Sequence, residues 1–225
     1  MKIKRAYDPK AFAKSTAKVR HLAEALKRFG VEETVAAQIL EGGEQITKPK
    51  DLRTTEWFHD AMRRLDALLP VELVNEIRES CACCTGGERR RLAQKIYRNN
   101  ETVDARLKAL DAAKLIVGHS ARWEDGRIVV RFAENAEKAY CPCLVVTEEP
   151  MPVSYCRCCG GHIKGHLETA LGVKTALRIR SSQLSSAGKE PCVMEFTVLQ
   201  DAPQTADPDR DDGRGVCMES SGRSR

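Results

Sequence analysis

Eight of the ten cysteines in this chain fall in three short clusters, Cys81-Ala82-Cys83-Cys84, Cys141-Pro142-Cys143 and Cys156-Arg157-Cys158-Cys159. The first and third share an order: Cys-x-Cys-Cys, a Gly-Gly pair (Gly86-Gly87 and Gly160-Gly161), then a helical pattern. Glycine lets a chain turn sharply. A helix start presents free N–H groups and the positive end of the dipole. Both favour thiolate, the form that binds metal or attacks an electrophile. Soft thiolates select zinc, copper(I) or an iron–sulfur cluster. The expected ligands are therefore Cys81, Cys83, Cys84, Cys141, Cys143, Cys156, Cys158 and Cys159. The overlapping knuckles Cys81-x-x-Cys84 and Cys156-x-x-Cys159 form the first tetrahedral set, with Cys141 and Cys143 next. Zinc is the expected ion, ahead of an iron–sulfur cluster or copper(I). Redox or persulfide chemistry and plain packing are the competing readings, since free cysteine also behaves as a small hydrophobe.

Composition narrows the setting. Of 225 residues, 42% are hydrophobic and 31% charged, a globular balance that excludes wholesale disorder. Apolar runs such as Leu144-Val145-Val146 fall far short of the roughly 20 residues a membrane helix needs. The opening Met1-Lys2-Ile3-Lys4-Arg5-Ala6-Tyr7 leads into no apolar segment, so a cytoplasmic protein with reduced thiols is expected. The net charge of +5 permits an anionic partner, but no nucleic-acid signature accompanies it. Neither a phosphate-cradling loop nor a Gly-x-Ser-x-Gly elbow occurs.

Periodicity divides the chain in three. Residues 1–79 read as a helical layer or dimerisation region, so a homodimer through these helices is a partner expectation. Helical spacing runs through Ala17, Leu22, Leu26 and Phe29 to Gly30, from Glu32 to Leu40, through Trp57 to Leu69 before Pro70, and from Val71 to Ile77. Residues 80–199 form a cysteine-rich α+β region. It has helices at Glu88–Arg98, Glu101–Val117 and His162–Leu171. Strands are expected at Arg127–Phe132, Leu144–Thr147, Thr175–Arg180 and Val193–Leu199. Residues 200–225 are polar and rich in Asp, a disordered tail by composition, with Cys217 incidental. The expected fold class is α+β, a helical layer followed by an antiparallel sheet packed against helices.

The stretch Cys158-Cys159-Gly160-Gly161-His162-Ile163-Lys164-Gly165-His166-Leu167-Glu168, with Leu171-Gly172, Ser185-Ser186-Ala187-Gly188, Pro191-Cys192 and Glu195-Phe196-Thr197-Val198, resembles the end of the 4-vinyl-reductase-type ligand-binding domain. It is also similar to the L-2-amino-thiazoline-4-carboxylic acid hydrolase family, and with the other clusters added it looks most like a bacterial family of cysteine-rich relatives. The resemblance implies an α+β fold and a pocket for a small molecule. It maps Cys192 onto the cysteine before the last strand and Cys156 or Cys159 onto the one before the helix. The extra cysteines favour a metal. The expected function is a metal-binding domain that holds a small molecule or senses metal or redox state. One alternative is a metal-dependent hydrolase of a small sulfur- or nitrogen-containing substrate, with His162 or His166 moving the proton and Arg180 holding a carboxylate. Another is a thiol-redox protein exchanging disulfides at Cys158 and Cys159. Arg180 and Cys192 are the expected ligand-pocket residues.

Overall fold

Glycine, proline and polar caps cut the first third of the chain into four helices. The computed structural model describes residues 9–82, 87–114, 120–132 and 141–199. Helix α1, Ala17–Arg28, begins at the N-cap Thr16 and is followed by Gly30 at φ 67°. Helix α2, Glu33–Ile39, gives way to Gly42 at φ 76°. Helix α3, Leu52–Leu68, starts where the Asp51 carboxylate accepts the Thr54 N–H at 2.8 Å. Pro70 separates it from α4, Val71–Ser80. Apolar stripes of α1 (Val19, Leu22, Leu26), α3 (Phe58, Met62, Leu65) and α4 (Val74, Ile77) meet in a first core. Leu144, Met151 and Tyr155 from the segment before α7 complete it.

Helices α5, Gly87–Asn99, and α6, Val103–Ala113, lead into a β-hairpin of β1, Ser120–Glu124, and β2, Arg127–Phe132. Helix α7, Arg157–Leu171, ends at Gly172 in the left-handed region and feeds β3, Lys174–Ser181, and β4, Cys192–Leu199. All pairings are antiparallel, in the order β1-β2-β4-β3. Strand alternation sends Ile128, Val130, Met194, Phe196 and Leu177 to one face, against Leu107 and Leu110 of α6 and Ile163, Leu167 and Leu171 of α7. This is a second core. On the sheet's other side Glu195, 7% exposed, lies beneath Arg127, Arg178 and Arg180. The fold is α+β, helices first and then the antiparallel sheet. None of the described helices is long and apolar enough to cross a membrane.

Three expectations need correction. No strand forms over residues 144–147. The Thr55 hydroxyl of α3 takes the Val145 N–H at 3.2 Å and faces the Val145 carbonyl at 3.4 Å, so a side chain stands where a neighbouring strand would. Strand β1 was not among the expected strands, and Ala121 is its one fully buried residue. Helix α7 begins five residues before His162, so Cys158, Cys159, Gly160 and Gly161 are helical. Its glycines permit close approach rather than a turn. A Cβ at Gly160 would lie 2.3 Å from the Leu177 side chain, and one at Gly161 only 2.2 Å from the Glu79 carbonyl oxygen of α4. Cys83, Cys84, the end of the expected Glu101–Val117 helix and the 200–225 tail lie outside the described residues.

Candidate functional site: a cysteine-lined cavity

Six cysteines converge between the two cores. Cys141 and Cys143 come from the loop before residue 144, Cys156 from the 3₁₀ turn Val153–Cys156, Cys158 and Cys159 from the first turn of α7, and Cys192 from the start of β4. Together with Tyr155 and Ser182 they line a cavity of about 20 Å³. Such a volume holds about one atom or one water.

Donors are aimed at several of these sulfurs. The Cys143 N–H donates to Cys141 Sγ at 3.3 Å, and the Gln183 N–H donates to Cys192 Sγ at 3.4 Å. Cys156 Sγ and Ser182 Oγ are 3.1 Å apart. Lys18, on α1, donates from Nζ to the Cys143 carbonyl at 2.8 Å and is close enough to act on that thiol as well. Behind this wall Arg78 of α4 is fully buried. Its Nη2 donates to the Tyr155 carbonyl at 3.0 Å and its Nε to the Ser154 carbonyl at 3.4 Å. Its guanidinium carbon lies 5.3 Å from the Tyr155 ring centre. Among the described residues no carboxylate comes within ion-pair distance of Arg78; Asp66, held by the Ser154 hydroxyl at 2.9 Å, acts on it from further off. The Tyr155 hydroxyl is buried and meets no hydrogen-bond partner among the described residues.

The electrostatics split the thiols. Burial pushes Cys156 up to about 12 and carries Cys159 and Tyr155 well above their usual ranges. Cys143 goes the other way, down to about 6, because the Cys141 thiol hydrogen-bonds to it and the charges of Lys18 and Arg78 outweigh burial. Cys141 is raised in turn, chiefly as the donor to Cys143.

Two of the three sequence clusters thus meet. Cys81 stands apart: it caps α4, and its thiol donates to the His21 carbonyl at 3.6 Å instead of lining the cavity. His162 and His166 stack edge to face with ring centres 4.6 Å apart, His162 Nε2 lies 3.3 Å from Arg89 Nη1, and neither ring lines the cavity. Arg180 and Cys192 lie at different cavities. Arg180 pairs with Glu195 at 3.3 Å and borders a surface cleft of about 370 Å³ with Arg131, Ser181 and Glu190. As placed, no three His, Cys, Asp or Glu side chains among the described residues are grouped so as to hold a metal ion. Sequence reasoning passed over Arg78, Lys18, Tyr155 and Ser182. A signal existed for the first two: Arg78 lies one turn after Val74, and Lys18 one turn before Leu22, both on buried stripes.

A family model described as "Family of unknown function (DUF6144)" matches residues 13–202, from the start of the helical layer through the last strand. The chain belongs to that family. The DUF6144 match contains all six cavity cysteines together with Arg78 and Lys18. No curated protein and no solved structure matches the chain.

Proposed function

We propose that this protein binds one soft metal ion, zinc first, through thiolates of the cysteine cavity, and that this centre joins the helical layer to the sheet. The observation that carries the reading is the convergence of six cysteines from four segments on an atom-sized cavity, with N–H donors at the sulfurs of Cys141 and Cys192, the Ser182 hydroxyl beside Cys156 and a lysine at Cys143. Hydrogen bonds of this kind orient and tune metal-bound thiolates. Ligation asks the thiols to turn about χ1 from their present directions, among the staggered positions open to any side chain. His162 and His166 stand outside the cavity, which favours a structural or sensory centre over a hydrolytic one. A reducing cytoplasm would keep its thiols competent.

Elemental analysis of protein purified under reducing conditions, with zinc offered at one equivalent, tests this. One tightly held ion per chain is expected, and Cys143→Ser and Cys192→Ser should each lower the occupancy, whereas Cys81→Ser should not. Metal-free protein after such an offer would end the metal reading. The contact between the Cys141 and Cys143 thiols favours a second reading, a dithiol that closes to a disulfide. In that case an oxidant should remove two thiols per chain and leave a bridge between these two residues.

A further inference from the structure

We infer that the surface cleft where β2, β3 and β4 come together beside Glu190 is a binding site for a small ligand with one oxyanion group, a carboxylate or a phosphate, held between Arg131 and Arg180. The cleft is separate from the cysteine cavity, and its ligand does not depend on the metal reading.

An irregularity in strand pairing builds the cleft. Ile179 pairs with Met194 and Ser181 with Val193, so Arg180 is an extra residue on β3. Consecutive residues of a regular strand point to opposite faces. At this bulge Arg180 and Ser181 instead border the same cleft, of about 370 Å³. Bulges re-aim side chains and are frequent beside functional sites. Val193 is in register with Arg131 of β2 as well as with Ser181, so these three lie abreast at the cleft. Ser181 Oγ donates to the Pro191 carbonyl at 2.7 Å and ties the two strand ends together. The chain neighbours Phe132, Ser182 and Cys192 line the cysteine cavity instead, so cleft and cavity share three strand ends.

A buried carboxylate sets the charge beside it. Arg127, Arg178 and Arg180 each approach Glu195 with a single nitrogen, at 3.4, 3.8 and 3.3 Å. One carboxylate does not discharge three guanidiniums, and each guanidinium carries five N–H donors in a planar fork. The Arg180 side chain is 53% exposed, within reach of a ligand. Arg131 is held by Glu124, its Nη2 donating to Oε2 at 2.7 Å. Four arginines, Arg127, Arg131, Arg178 and Arg180, thus stand against three carboxylates, Glu124, Glu190 and Glu195, with one positive charge over. Arg122 pairs with Asp111 at 3.9 Å and leaves that balance unchanged. One oxyanion group neutralises the excess, and arginine forks match carboxylate and phosphate oxygens in pairs. The volume falls within the roughly 300–1,000 Å³ of small-molecule sites. Glu190, the acid in the lining, suits a hydroxyl or ammonium on the same ligand.

Amide chemical shifts of the full chain, titrated under reducing conditions with inorganic phosphate and separately with lactate, test the site. A saturable curve with Kd on the order of 1 mM is expected for at least one anion. The shifts should centre on residues 131, 181 and 193 and extend to 182 and 192. Saturation there by phosphate, by lactate or by both supports the site and names the anionic group it takes. Arg180→Gln should weaken binding about 10–100-fold, the loss of hydrogen bonds to a charged group. Arg178→Gln, in the same patch but outside the cleft lining, should change it less than about 5-fold. Equal losses in the two variants would mean a diffuse basic surface and overturn the inference. Shifts that never saturate with either anion, or that saturate elsewhere on the chain, overturn it too. The wild-type shift map decides alone should Arg180→Gln fail to fold.

Discussion

The two cores bury different things. The one beneath the sheet is apolar throughout its centre: Ile128, Val130, Phe196 and Leu167 pack there by alternation and helical spacing alone. The one among α1, α3 and α4 takes in Cys156 and Cys158, the Tyr155 phenol and, at its edge, the Arg78 charge. An apolar core is stabilised by area removed from water and is indifferent to ions. A core containing a cation and thiols is stable only in company with the right charge state. The difference suggests that the sheet core is the constitutive part of the fold and the helical-layer core the conditional part.

Metal should separate them most. At a free zinc concentration a thousand times its Kd, ligand linkage adds about 4 kcal/mol to the states that hold the ion. Hydrogen exchange should show the gain in α1, α4 and residues 141–159, with β1 and β2 little changed. Equal gains throughout would mean the two cores open as one unit. The contact between α4 and α7 comes next. Gly161→Ala forces a Cβ against the Glu79 carbonyl and should cost roughly 1–3 kcal/mol. Gly165→Ala, on the same helix with open space around it, should gain up to about 1 kcal/mol. Thermal melts of the pair decide this, and two like-signed shifts would contradict it.

On the sheet side, Thr102 accepts the Ala105 N–H at 3.2 Å as the N-cap of α6. Thr102→Ala should cost about 1 kcal/mol, and the same amount with or without zinc. The smallest effect is one of pH. Burial lowers the pKa of His21 below its usual 6.5, so the folded state disfavours its protonation. Its contribution is whole above 6.5 and declines as pH falls through that value toward the lower, folded one. Denaturant midpoints between pH 7 and pH 5 should fall less in His21→Gln than in wild type; parallel curves would remove His21 from the account.

Legibility followed the same division. Helix limits marked by local chemistry were readable: Gly30 after α1, Pro70 before α4, Gly172 after α7. Alternation found β2, β3 and β4. What sequence reasoning missed depends on a partner far along the chain. Gly160 and Gly161 read as a turn because Leu177 and Glu79, which press against them, are invisible from within the motif. Leu144-Val145-Val146 has strand composition, but its partner is a hydroxyl 90 positions away. The cysteine spacing points to all three clusters at one centre, led by the first and third; the second and third meet, Cys81 turns toward His21, and Cys83 and Cys84 lie outside the described residues. The cations were passed over because a buried Arg or Lys is recognised only with its surroundings, and Arg78 bonds across 77 positions and Lys18 across 125.

Those separations also bear on synthesis. Helices α1 and α4 leave the ribosome well before residues 141–159 exist. Lys18 must therefore wait while 125 further residues are added before Cys143 exists, and Arg78 while 77 are added before Tyr155, so the cysteine wall closes late. Contacts of such long range are slow to form because loop entropy is lost before the contact repays it. Between their own synthesis and the closing of the wall, the thiols of Cys141, Cys143 and Cys156 are open to any oxidant. A nascent chain that captures its ion late would have the sheet in place first and the helical layer docked last, so the ion would act as a latch on an assembled body rather than as a nucleus for it.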